Sequence, residues 1–109
     1  MEGVLFLTVK KEFFGKILKK EKKVEYRYNN KYYNSRIDGK PIKQVILRNG
    51  YAKNSPELKV KVEKIIIENS AIPEFTQCKK GQLTLDFEHY SIYLGDILEV
   101  KNVGDKFEG

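Results

Sequence analysis

Apolar residues occupy both parities of Val4-Leu5-Phe6-Leu7-Thr8-Val9, the pattern of a strand buried on both faces, so a central strand is predicted there. From Lys11 to about Lys20 the period changes. Phe13, Phe14, Ile17 and Leu18 recur at three and four, with Lys16, Lys19 and Lys20 elsewhere, which predicts an amphipathic helix with one packing face and one cationic face. Period two returns from Lys22 to Tyr28, with Val24, Tyr26 and Tyr28 on one side and Glu25 and Arg27 on the other. This reads as a second strand whose tyrosines belong to the core or barrel wall. Residues 29–41 are polar and rich in Asn, hold Asp38 and Gly39, and read as a long loop. Gln44 to Arg48 predicts a short strand stopped by a tight turn at Asn49-Gly50.

Within Leu58 to Glu68 the apolar set shifts parity, from Leu58, Val60 and Val62 to Ile65 and Ile67. A long strand with a bulge or barrel corner accounts for such a shift. Residues 69–81 contain Pro73 and Gly81 and read as a connection. Leu83, Leu85 and Phe87 alternate with polar neighbours as a strand, and Ser91 to Val103 reads as a last strand bent at Gly95-Asp96. Five or six strands with one early helix predict a mainly β (α+β) fold, a small and largely antiparallel β-barrel.

The 109 residues are enough for one core and too few for two, so a single domain over 1–109 is expected. An apolar fraction of 40% beside 33% charged residues is that of an ordinary globular protein. The apolar run at Val4 to Val9 is too short for a secretory leader or a bilayer span, which implies a cytoplasmic protein. One cysteine, Cys78, and one histidine, His89, cannot form an intrachain disulfide or a zinc site of ordinary ligand count. No cofactor is expected.

Net charge is +6, but its distribution matters more than its value. Residues 1–64 carry 17 Lys and Arg against 7 Asp and Glu, whereas residues 65–109 carry 4 against 8. Residues 10–23 alone hold seven Lys and two Glu, a field that attracts phosphate at moderate salt. The same lysines also suit a merely solvated face.

The run Leu5 to Lys10, the helix after it, and Lys20-Glu21-Lys22-Lys23-Val24-Glu25-Tyr26-Arg27 together resemble the ASCH family, whose hallmark is Gly-x-Lys-x-x-Glu-x-Arg after the first helix. Lys22, Glu25 and Arg27 match that pattern. Lys20 stands where the family has glycine, and Lys11 where a proline often opens the helix. Arg48-Asn49-Gly50-Tyr51, Ser55-Pro56-Glu57 and Tyr93-Leu94-Gly95-Asp96-Ile97 look like segments of small bacterial and phage members. The resemblance implies a PUA-like barrel with a groove between barrel and helix that binds RNA or nucleotides. Some members are binding modules, some are ribonucleases, and one branch hydrolyses N4-acylated cytidine; fold alone does not choose among them.

Glu25 and Arg27 project to one face of their strand with Cβ atoms roughly 6–7 Å apart, so one ligand can touch both. Arg27 offers a planar fork for phosphate, a base carbonyl or stacking, and ionised Glu25 accepts from an amino group or ribose hydroxyl. The bland alternative is a surface ion pair worth about 0–1 kcal/mol. Lys22 adds a flexible charge at the strand entrance, and Lys10 and Arg36 are further cationic candidates. Tyr32, Tyr33 and Tyr51 are the candidate stacking platforms.

These residues point first to a module that binds RNA or a nucleotide-like ligand. The alternative is a metal-independent enzyme acting on RNA or a modified nucleoside, with Lys22, Glu25 and Tyr51 as the catalytic candidates and Ser35 or His89 as possible recruits. The amidohydrolase branch has a Lys-x-x-Thr pattern; here Glu25 takes the threonine position, so that hydroxyl nucleophile is lost. His89, beside Tyr90, reads more simply as a turn or surface residue. A third class is a protein that grips an acidic protein partner through the basic helix.

Overall fold

The computed structural model describes residues 3–72 and 87–104. Its elements, in chain order, are β1 (Val4–Thr8), α1 (Lys11–Leu18), β2 (Val24–Tyr28), α2 (Lys31–Ile37), β3 (Gln44–Arg48), β4 (Glu57–Ser70) and β5 (Phe87–Lys101). The strands form one sheet in the order β1-β3-β4-β5-β2. β1 runs parallel to β3, and the remaining neighbours are antiparallel. The sheet curls into a half-barrel, mainly β with two helices. Pro73, Cys78, Gly81, Leu83 and Leu85, which entered the sequence reading, lie outside the described residues.

The inner face of the curl carries the core. Leu5, Leu7, Val45, Leu47, Leu58, Val60, Tyr90 and Ile92 meet there with Phe14 and Ile17 of α1 and Ile37 of α2. β1 is an edge strand, not the central one predicted from its continuous apolar run. Its odd positions are buried, whereas Phe6 on the other parity is 58% exposed, so the apolar outer residue does not report a second buried face.

α1 buries Phe14 and Ile17, as its spacing predicts, and an exposed Glu12–Lys16 pair at 3.5 Å spans one turn on the other side. The helix ends in a Schellman arrangement: Glu21 N–H donates to the Lys16 carbonyl at 2.8 Å, and Lys20 N–H to the Ile17 carbonyl at 3.0 Å. This ending requires a left-handed residue at its pivot, and Lys20 supplies it with φ +63°. Lys20 is the residue that stands in the glycine position of the ASCH-type pattern.

The predicted loop over 29–41 contains α2, so the fold has two helices where the sequence reading has one. Asn30 is not a loop residue but an N-cap whose side chain accepts from Tyr33 N–H at 3.0 Å. Ile37 anchors the short helix in the core, and Gly39 with φ +68° turns the chain away. Tertiary contact of one apolar residue, with a good cap, outweighs a polar composition here.

The parity shift read in the long strand corresponds to register irregularities between Lys59 and Lys64, opposite Tyr93 to Glu99. Gly95 sits at this bend against the Glu63 side chain, whose carboxylate a β-carbon would displace. From Phe87 onward the two predicted C-terminal strands are one continuous strand, β5, because the bulge absorbs the bend without breaking the ladder. β3 does stop at Asn49-Gly50, but in a bend rather than a tight turn: the connection spans residues 49–56 and its hydrogen-bonded turn runs from Ser55 N–H to the Ala52 carbonyl, while Gly50 has φ +119° and a β-carbon there would lie 3.0 Å from Ser55 Oγ.

Facing of β2 is the reverse of the reading. Glu25 pairs with Ile92 and Arg27 with Tyr90, both core residues, so the charged pair points to the inner face. Tyr26 and Tyr28 point outward, Tyr28 being 48% exposed. Since β2 is the other edge of the sheet, its inner face looks into the mouth of the curl, where long charged side chains can be partnered.

Candidate functional site

Glu25 is 4% exposed and Lys22 8% exposed, far more buried than residues of these types usually are. Lys22 Nζ lies 3.9 Å from Glu25 Oε1, and Arg27 Nη2 lies 3.4 Å from Glu25 Oε2. Glu25 Oε1 also accepts from the Tyr26 amide at 3.0 Å. One buried carboxylate therefore compensates two cations, as a buried charge requires. Lys22 is further held 5.2 Å from the Phe13 ring and 5.0 Å from the Tyr26 ring, within cation–π range.

Arg27 reaches from β2 across the mouth of the curl. Its Nη2 donates to the Thr8 carbonyl on β1 at 2.9 Å, and its Nη1 to Tyr33 Oη on α2 at 3.1 Å. The guanidinium thus ties together the two edges of the sheet and the second helix. Beside it opens a hollow of about 290 Å³ lined by Phe6, Thr8, Arg27, Tyr32, Tyr33, Arg48, Gly50 and Tyr51, among others. Tyr51 is 87% exposed and Tyr32 56% exposed. Such a rim of accessible rings is what base stacking uses.

Two arginines meet at this hollow because β1 and β3 pair in parallel, which sets Thr8 opposite Arg48. Arg48 donates from Nη2 to the Lys53 carbonyl at 3.3 Å, and its Nε lies 3.7 Å from Glu57 Oε1. Among the described residues, the buried side-chain groups without a hydrogen-bond partner are Arg27 Nε and Arg48 Nε. Arg48 Nε stays within ion-pair range of Glu57, which leaves Arg27 Nε the more isolated of the two, and both belong to residues of one hollow.

The structure gathers some of the predicted site residues and separates others. Arg27, Tyr32, Tyr33 and Tyr51 share the hollow. Arg36 stands beside it, stacked 3.6 Å from the Tyr32 ring centroid. Lys22 instead lines a separate hollow with Ile17, Lys20 and Lys23 at the end of α1, and Glu25 is buried between Lys22 and Arg27. Lys22, Glu25 and Tyr51 are therefore not assembled around one reacting position. Lys10 is exposed and lines none of these hollows. The helix beside Arg27 is α2, not the lysine-bearing α1 that the sequence reading placed over the groove.

His89 is buried, 1% exposed, not the turn or surface residue of the sequence reading. It lies on the outer face, with Nε2 2.9 Å from Ser70 Oγ and Nδ1 3.2 Å from Ser91 Oγ, and with Tyr26 edge-on at 5.4 Å. Both ring nitrogens are satisfied and neither meets the Arg27 hollow. Ser35 caps its own helix turn, donating to the Tyr32 carbonyl at 2.8 Å. Farther along the outer face, Glu68 accepts from Tyr93 Oη at 2.8 Å. Hydrogen bonds from Ser91 and Tyr93 hold the Glu68 carboxyl below its ordinary range, and the same carboxylate pushes the Tyr93 phenol up.

Phe6 and Arg48 were missed by the sequence reading. The signal for Phe6 was present, since it is the one bulky residue out of parity with Leu5, Leu7 and Val9. Arg48 becomes visible only through the β1–β3 register. No protein-family model, curated protein or solved structure matches the chain. Among the described residues no His, Cys, Asp and Glu group is arranged to hold a metal ion, and no helix is long and apolar enough to cross a membrane.

Proposed function

We propose that this chain binds RNA or a nucleotide-like ligand, seating a nucleobase in the hollow between Arg27, Arg48 and the tyrosine rim. The observation that carries the reading is the convergence of two guanidinium groups and several accessible rings on one cavity, with Arg27 held in place by a buried carboxylate. The fork geometry of arginine suits phosphate or a base carbonyl, and the tyrosines give π-faces that accept any base. A volume of about 290 Å³ lies at the small end of ligand clefts, a size suited to one base. The basic N-terminal half supplies long-range attraction for a polyanion. The resemblance of Lys22, Glu25 and Arg27 to the ASCH pattern supports the same class of ligand. In this reading Lys22 and Glu25 are positioning residues: they set the guanidinium and do not touch the base.

Fluorescence anisotropy with a labelled single-stranded RNA tests it. Affinity should fall as salt rises, by about 0.7 log units per log unit of salt for each neutralised phosphate. Tyr51→Ala should weaken binding by roughly tenfold to a hundredfold, the value of one stacked base, without changing the unfolding midpoint, because the ring is solvent-exposed. Undiminished binding by both Tyr51→Ala and Arg48→Ala would place the ligand elsewhere.

A further inference from the structure

Along the outer edge of β1 a second hollow, of about 610 Å³, is lined by Gly3 to Phe6, Arg36, Lys40, Pro41 and Ile42. It adjoins the Arg27 hollow, because Phe6 lines both. Opposite Phe6, the Tyr32–Arg36 stack on α2 bridges the same boundary, with Tyr32 on one hollow and Arg36 on the other. The two cavities thus form one groove between the free edge of β1 and α2, pinched at its middle by a phenyl ring and a stacked tyrosine–arginine pair.

We infer that this groove takes at least two successive nucleotides of a single strand, the second in the Arg36–Lys40 hollow with Phe6 packed between neighbouring bases. The inference rests on the proposed function and extends it from one base to an oligonucleotide. Three features carry it. Phe6 is 58% exposed and stands at the boundary, where a ring can stack on a base from either side. Arg36 and Lys40 give the second hollow cationic groups, and backbone phosphates must pass close to a groove that holds adjacent bases. Finally, β1 is a sheet edge, and edge strands present backbone donors and acceptors outward. Thr8 turns its carbonyl to that side, where Arg27 takes it, and strand alternation turns the N–H and C=O of Phe6 and Val4 the same way. Those groups can meet base edges without side-chain specificity.

The test compares uridine monophosphate with the dinucleotide pUpU by calorimetry, on wild type, Phe6→Ala and Lys40→Ala. Both substitutions are at exposed positions, and circular dichroism verifies folding. The dinucleotide should bind wild type at least about tenfold more tightly than the monophosphate, as one more stacked base predicts. Phe6→Ala and Lys40→Ala should each erase most of that gain, and Lys40→Ala should leave monophosphate affinity unchanged. Its salt slope for pUpU should also drop by roughly 0.7. Monophosphate binding with no gain for pUpU, or a gain that survives both substitutions, overturns the two-nucleotide groove and leaves the single-base reading standing. Failure of wild type to bind either ligand overturns both.

Discussion

At the scale of single residues, the interior of this protein is organised by Glu25. Its carboxylate faces Lys22 and Arg27 in a region shielded from water, so removing it takes away the negative charge that both cations face. Breaking a buried pair from one side costs about 3–5 kcal/mol. Glu25→Ala should therefore lower unfolding stability by about that amount in urea titrations, and Glu25→Gln, which keeps hydrogen-bond acceptance, by less. A loss under about 1 kcal/mol would mean that the triad behaves as a screened surface pair. Lys20 is the converse case, a residue that strains the backbone. A non-glycine residue in the left-handed region costs about 1–2 kcal/mol, and glycine gives back about 0.5–1 kcal/mol through unfolded-chain entropy. Lys20→Gly should raise stability by up to about 1 kcal/mol, read from the same titrations; a clear destabilisation would show that the lysine side chain contributes more than its backbone loses.

At the scale of elements, α2 links stability to the site. The helix has seven residues, too few to persist without packing and a cap, yet it positions Tyr32, Tyr33 and Arg36. Asn30→Ala removes its N-cap and should cost about 1 kcal/mol. Under the proposed binding role, RNA affinity should fall with it although Asn30 does not line the hollow, and anisotropy measured beside thermal melts would detect both effects. Unchanged affinity with lowered stability would exclude α2 from recognition. This helix also marks the limit of what was legible beforehand. The long β4 with its bulge and α1 follow from periodicity, and β3 from its short apolar run, since Val45, Ile46 and Leu47 are all buried. The facing of β2 does not, because Glu25 and Arg27 are buried by partnering each other and Lys22, an outcome that hydropathy reads as exposure. α2 is hidden because Asn30 serves equally as loop residue and cap, and only the burial of Ile37 decides. The same holds for the site: Arg27, Tyr32, Tyr33 and Tyr51 could be singled out by type, but Arg48 depends on a long-range register. Phe6 depends on β1 being an edge.

At the scale of the whole molecule, tyrosine hydroxyls fasten both sides of the curled sheet. On the inner side, Tyr90 Oη donates to Asn34 Oδ1 of α2 at 2.5 Å, and burial, with Asp38 and Glu88 nearby, pushes its phenol up. On the outer side, Tyr93 donates to Glu68 across β4 and β5, raising the phenol and lowering the carboxyl. The signs fix the pH response. A depressed carboxyl pKa stabilises the fold above the ordinary Glu value, and that contribution is lost as pH falls through the depressed value. Raised phenol pKa values stabilise it below their ordinary value of about 10, and this is lost as pH rises through the raised values. Stability should therefore hold across neutral pH and decline at both extremes. Tyr93→Phe removes a donor from Glu68 and one of the two phenols at once, so it should reduce the acid and alkaline contributions together. Urea midpoints measured from acid to strongly alkaline pH, with the tyrosine absorbance followed in parallel, separate the arms. If the variant changes neither, the Glu68–Tyr93 bond does not join the two strands energetically, and the Tyr90 phenol, raised by burial and by Asp38 and Glu88, would be the one left to account for the alkaline decline.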